Sequence, residues 1–205
     1  MDKKLFSELA EQISEIGQFL ANQGWSPATS SNYSARLDSE TIAITRSGID
    51  KYKIKSSDII VTDLNGRVIE PENAKASAET LIHTSIYKKY PEAGAVLHTH
   101  SVMGTRLSLK FQNEKVIRVS GYELLKGLAG NTTHEMTEEI PIIDNDQDME
   151  RFSKALEPLL TQSIHGFLIA GHGLYTWGKD LSECKRHIET YEFLFQCLEK
   201  EIHGV

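Results

Sequence analysis

Ala93-Gly-Ala-Val-Leu-His-Thr-His100 is a short apolar run that opens on small residues and closes on two histidines. Its length and composition, with glycine at one end, predict a buried strand. Successive side chains of a strand point to opposite faces, so residues two apart share a face. His98 and His100 therefore leave the end of a rigid element together, at a spacing that suits two imidazoles on one divalent metal. A third histidine, His172, stands in Gly171-His-Gly173, about seventy residues further on. On its own it reads as a turn residue. Beside a His-x-His pair it completes a ligand set, and its glycine neighbours let the backbone approach a ligand closely. Three protein ligands leave one coordination position open, as catalytic rather than structural sites do.

Outward from this run the chain alternates helices and strands. Leu5, Leu9, Ile13, Ile16 and Leu20 recur at helical spacing up to Gly24, a suitable C-terminal cap. Thr41–Thr45 and Asp58–Thr62 are β-branched runs between turn residues, hence strands. Residues 77–90 predict a helix closed by Pro91, and a further helix runs from Ser101 to Leu109. Glu139–Ile143 reads as an edge strand because of its internal proline. Asp148–Leu160 is helical, Gly166–Ala170 and Gly173–Trp177 are strands, and a long helix runs from Leu181 to about Ile202. Such alternation with short connections predicts an α/β layered domain. The 205 residues, 40% of them hydrophobic, can bury one core, so residues 1–205 are expected to form a single domain.

A net charge of −7 with no basic patch argues against nucleic acid as a partner. No apolar stretch reaches the length of a membrane span, and Met1-Asp-Lys-Lys4 runs into an amphipathic pattern rather than a signal-peptide core. Cys184 and Cys197 fall thirteen residues apart in one predicted helix. That places their Cα atoms roughly 20 Å apart, whereas a disulfide needs less than about 7 Å. Reduced cysteines and a cytoplasmic location are expected.

Three further segments look chemical. Thr29-Ser-Ser31-Asn32 follows the first helix, Ser47-Gly48 ends a strand, and Ser77 precedes Glu79. Each alone is a turn or a helix cap. Converging on one pocket, their hydroxyls and N–H groups would cradle a phosphate without a P-loop. Two carboxylates stand out around the His98/His100 strand, Glu79 upstream and Glu123 downstream, and are candidates for general acid–base work, although most glutamates are solvated surface charges. His83, four residues after Glu79, would support that carboxylate from the same helical face. His134, His165 and His203 are expected to be solvated, and His187 has no partner motif.

Together these motifs resemble the class II aldolase/adducin family of metal-dependent enzymes acting on sugar phosphates, in its motif order and from about Leu5 to Leu198. The resemblance implies a three-layer α/β/α fold around a central, mostly antiparallel mixed sheet. It implies one Zn²⁺ per subunit on His98, His100 and His172, and phosphate binding by Thr29, Ser31, Asn32, Ser47, Gly48 and Ser77. It also implies a homotetramer with active sites near subunit boundaries. The long last helix agrees in part, since Leu181, Ile188, Tyr191, Leu194, Phe195 and Leu198 give it more apolar surface than one shielded face requires. One departure is Ala78, where aldolases of the family often carry a second serine.

Within the family, Ile44–Lys51, Tyr122–Gly127 and Gly171–Gly178 resemble a branch that removes water from a phosphorylated methylthio-pentulose in methionine salvage. That branch implies a metal Lewis acid on the C2 carbonyl, loss of the C3 proton and departure of the C4 hydroxyl. Glu123 matches its acid/base; Glu79 matches the working glutamate of the aldolase branch. Rival readings are a class II aldolase or pentulose-phosphate 4-epimerase, a cupin, and the non-enzymatic adducin branch. A cupin would place a glutamate three or four residues after His-x-His, where Met103 and Gly104 stand, and three intact histidines argue against the adducin branch.

Overall fold

A computed structural model describes residues 2–161 and 165–204. Helix α1 (Lys3–Asn22) opens on Asp2, whose carboxylate accepts from the N–H groups of Lys4 and Leu5. Strands β1 (Asn32–Arg36), β2 (Thr41–Thr45), β3 (Ile59–Asp63) and β4 (Val68–Glu70) follow, then α2 (Thr80–Lys89), β5 (Ala95–Thr99) and α3 (Val102–Lys110). The chain continues through β6 (Val116–Val119), a 3-10 turn at Glu123–Gly127, β7 (Glu138–Ile143) and α4 (Met149–Leu156). It closes with β8 (Gly166–Ile169), β9 (Gly173–Gly178) and α5 (Leu181–His203).

The strands form one sheet in the order β4-β3-β2-β1-β5-β9-β8-β7-β6. Every pairing is antiparallel except β7 with β8. The sheet is mixed and mostly antiparallel, as expected. Side-chain alternation sends Ile42, Ile44, Val96 and Tyr175 to one face, against Ile82 and Ile86 of α2 and Phe152 and Leu156 of α4. Ala43, Ala95 and Leu97 go to the other, against Ala10, Ile13 and Leu20 of α1 and Cys184 and Ile188 of α5. The result is three layers. Central β5 is buried along its whole length, and each large apolar side chain it buries stabilises the fold by roughly 1.5–3 kcal/mol. The element that presents His98 is therefore among the best anchored in the molecule.

Several expectations change. β7 is an interior strand, because Pro141 sits where pairing with β6 ends and pairing with β8 begins, so its missing N–H interrupts neither ladder. The partner, β6, was not foreseen. Helix α2 starts at Thr80, leaving Ser77 and Glu79 in the preceding loop. Leu181, Ile188, Tyr191, Leu194 and Phe195 of α5 are all buried within this chain's own core, so they supply no spare surface for assembly. The exposed apolar residue of that helix is Phe193. Both cysteines are free, as predicted.

Candidate metal centre and anion cavity

The end of β5 and the β8–β9 turn bring three histidines together. Gly173 is required there: a Cβ would lie 2.0 Å from the Thr99 carbonyl oxygen, so only glycine lets β9 close on β5 beside His98. The turn is tied down by Ser108, which accepts from Gly171 N–H, and by Thr105, which donates to the His172 carbonyl. Ring centroids lie 4.5 Å apart for His98–His100, 5.0 Å for His98–His172 and 4.7 Å for His100–His172.

The donor set fits a divalent metal. One ligand atom from each of His98, His100 and His172 lies within 4.8 Å of the others. His98 Nδ1 donates to the Leu174 carbonyl at 2.9 Å, which leaves Nε2 as a bare lone pair, and that atom is buried without a hydrogen-bond partner. A buried polar atom left unsatisfied in this way calls for a ligand. Burial, followed by the neighbouring His100, holds the His98 pKa well below the ordinary histidine value. Burial and His172 bring His100 down to about 4. Both rings are thus neutral near pH 7, the form that binds metal.

Glu79 stands against this cluster. Its Oε1 lies 3.1 Å from His172 Nε2, and its Oε2 lies 3.8 Å from His98 Nε2 and accepts from the Asn32 amide and, at 3.4 Å, the Tyr175 hydroxyl. Burial opposes ionisation, but the bond from His172, the electrostatic pull of the neighbouring His98 and His172 rings and the Asn32 amide outweigh it and hold the carboxyl below its usual range. His83 supports Glu79 at one remove rather than directly. Its Nε2 donates to Asn32 Oδ1, whose amide bonds Glu79, while its Nδ1 accepts from Ser34 at 2.7 Å. Burial keeps His83 neutral, with a pKa of about 3. Tyr175 also stacks on His98 at 4.0 Å, a contact that crosses strands and was not visible in the sequence.

A cavity of about 430 Å³ opens beside Glu79, His100 and His172. Thr29, Ser31, Asn32, Ser47, Gly48 and Ser77 all line it, so the three separate segments converge. Arg46, within the Ile44–Lys51 segment, and Lys75 line it too, and neither was expected among the phosphate-binding residues. Each is locally just a loop charge, although each stands beside a named serine segment. Ile82, Met149, Phe152 and Ile169 form an apolar wall. Glu123 does not line the cavity. It is exposed in the Glu123–Gly127 turn, 2.6 Å from Lys126 Nζ and 3.6 Å from His134, and its pKa is lowered chiefly by Lys126.

The remaining histidines divide, the side chain of His203 lying outside the described residues. His134 is exposed, as expected. His165 is not solvated: its Nε2 donates to the Ala129 carbonyl at 2.6 Å and its Nδ1 to Glu138 at 3.0 Å. His187 is buried, accepting from Ala129 N–H and donating to the Trp177 carbonyl.

Comparison with known proteins bears on the family and the fold. Methylthioribulose-1-phosphate dehydratase of Pseudomonas aeruginosa strain PAO1 is 50% identical over 192 residues, 93% of each chain. The proteins of that name from Stenotrophomonas maltophilia strain R551-3 and Marinobacter nauticus are 48% and 46% identical, covering 96% of this chain and 92% and 95% of their own. Among solved structures, L-fuculose-1-phosphate aldolase of Thermus thermophilus superposes with a TM-score of 0.77 over the whole of both chains at 23% identity. A sugar-phosphate aldolase of Thermotoga maritima gives 0.71 at 18% identity, covering 99% of this chain and 97% of its own. These two establish the fold. The sequence pattern of the Class II Aldolase and Adducin N-terminal domain family matches residues 11–198, and the chain belongs to that family.

Proposed function

We propose that this chain, acting as a single domain over residues 1–205, dehydrates 5-methylthioribulose 1-phosphate to 2,3-diketo-5-methylthiopentyl 1-phosphate, a hydro-lyase reaction of methionine salvage in the cytoplasm. The observation that carries the reading is one cavity joining a three-imidazole cluster to three loops rich in hydroxyls and N–H groups. Identity near one half to dehydratases of that name, over almost the whole chain, supports the choice of reaction. Among the described residues no helix is long and apolar enough to cross a membrane.

His98, His100 and His172 would hold the metal, zinc in this reading, which when bound supplies Lewis acidity toward the substrate carbonyl and so acidifies the neighbouring C–H. The loops at Thr29–Asn32, Ser47–Gly48 and Ser77 bind the C1 phosphate, joined by Arg46 and Lys75. The apolar wall around Met149 and Phe152 receives the methylthio end. A base removes the C3 proton, an acid protonates the departing C4 hydroxyl, and the enol tautomerises to the diketone. Glu123 carries this proton traffic. Because it lies outside its own cavity, it serves that of an adjoining copy in a homotetramer with sites at subunit boundaries. Glu79, inside the cavity, orients His172 and is the alternative base.

Its position beside the histidines also favours a second reading, an aldolase that breaks C3–C4. The test is incubation of the metal-loaded protein with methylthioribulose 1-phosphate. A diketone with release of water supports dehydration. Dihydroxyacetone phosphate with methylthioacetaldehyde would replace it with the aldolase reading.

A further inference from the structure

Lys51 is buried to 1% exposure, although an ammonium is among the most costly groups to bury unpaired. Among the described residues no carboxylate lies within ion-pair distance of it. Its Nζ instead donates to the carbonyls of Ser30 at 2.9 Å and Ile49 at 3.0 Å. Those carbonyls belong to two of the three loops of the anion cavity: Ser30 lies inside Thr29–Asn32, and Ile49 directly follows Ser47–Gly48. The first loop needs a restraint, because Ala28 and Ser31 are non-glycine residues at φ 55° and 71°. Such backbone persists only where its surroundings hold it. The ammonium is also close enough for its charge to act on Glu79 and His100.

We propose that Lys51 is a positioning residue for the substrate phosphate: its buried ammonium staples the two loops into one cradle and gives that cradle a fixed positive charge. This rests on the assignment of those loops to phosphate. It goes beyond that assignment in naming a residue that never lines the cavity. Burial brings the Lys51 pKa down to about 8, against Asp50 beside it, Glu79 before α2 and Asp58 before β3, which favour the charged form. Above that pH the cradle loses the Lys51 contribution to its positive charge, so anion affinity falls.

The test uses inorganic phosphate as the probe, titrated calorimetrically into the metal-loaded protein, with substrate kinetics alongside. Lys51→Met removes the charge and both donors at similar volume. Phosphate affinity is expected to fall on the order of 10- to 100-fold, the usual range for losing bonds from a charged group. KM should rise by a similar factor, with kcat and metal content little changed. A folded, metal-loaded Lys51→Met that binds phosphate as the wild type does would overturn the role. Lys51→Arg keeps its charge at every accessible pH, so it should retain binding and lose the decline that the wild type shows above about pH 8. If Lys51→Met does not fold, that pH comparison decides alone: parallel profiles for wild type and Lys51→Arg overturn the proposal. A wild type with no affinity for phosphate overturns the loop assignment, and this proposal with it.

Discussion

Two glutamates compete for the acid–base role, and their surroundings are opposite. Glu79 is fixed by Asn32, Tyr175 and His172 in a wall built on central strands, with His83, itself bonded to Ser34, holding Asn32 from behind. Glu123 hangs from an exposed 3-10 turn, bonded among the described residues to Lys126, which is itself exposed, and facing His134. Exposed pairs of that kind contribute little to stability. A carboxylate gripped by several neighbours is good at orienting a ligand and poor at shuttling a proton. One on a free turn is available for chemistry only if something brings a reaction centre to it. In the proposed reading Glu79 orients and Glu123 catalyses, and that reading requires an adjoining copy to bring a reaction centre to Glu123.

The largest effect expected leaves the contrast untouched, since both roles need the metal. His98→Ala, His100→Ala or His172→Ala should each remove most bound metal and nearly all activity while the fold survives, as measured by elemental analysis and circular dichroism. A fully active His172→Ala enzyme would eliminate the three-histidine site.

The next pair of variants breaks or sharpens the comparison directly. Glu123→Gln should keep metal and substrate binding and lower kcat by about 10²–10⁴-fold, the usual worth of a general acid–base group. Glu79→Gln should act more mildly, with KM or metal content moving along with rate. Sedimentation belongs with this test, because a stable, fully active monomer would leave Glu123 with no cavity to serve. The reverse pattern of kinetics would transfer the chemistry to Glu79 and weaken the dehydratase reading, which leans on Glu123.

These assignments divide along what a sequence can carry. His98 and His100 were legible because period-two alternation is local, and Gly171 and Gly173 because a close backbone approach demands glycine. The serine loops were legible as chemistry but not as a pocket, since their convergence depends on sheet order. What stayed hidden was long-range. His83 was expected on the Glu79 face of a helix, but that helix begins one residue after Glu79, so the link runs through Asn32 on β1. Pro141 marked β7 as an edge because a ladder that changes partner at one residue leaves no local signature. Lys51 looks like any loop lysine until the carbonyls of two separate loops are found on its ammonium.

A smaller effect tests the anion end. A substrate without its phosphate should react poorly, and Ser77→Ala should raise KM with little change in kcat. Equal rates with and without the phosphate would remove the loops from the site. Asn32→Ala should do more than raise KM, because its amide also holds Glu79, so a pure KM effect there would dissolve the fixed half of the comparison.

The smallest effect concerns how free the Glu123 turn is. Ala129, just beyond that turn, is pinned on both sides, its carbonyl accepting from His165 and its N–H donating to His187. The partners of His165 are a carbonyl and the Glu138 carboxylate, which also accepts from Tyr191, so both ring nitrogens must carry protons. Burial works against that charge, and the bond to Glu138 more than offsets it, raising the His165 pKa above its ordinary value. A histidine raised in the folded state contributes its full stability below the unfolded value of about 6.5 and loses it as pH climbs through the folded value. Between those limits the wild type should therefore lose stability relative to His165→Gln, which does not titrate. One buried hydrogen bond is worth about 1 kcal/mol, or about 2–4 °C in Tm for a chain of this size. Thermal melts of both proteins across pH 6 to 9 measure the difference. If the curves run parallel, His165 does not hold the turn by its charge. If they diverge as expected and kcat changes over the same pH range, the exposed carboxylate is less free than its surface setting suggests.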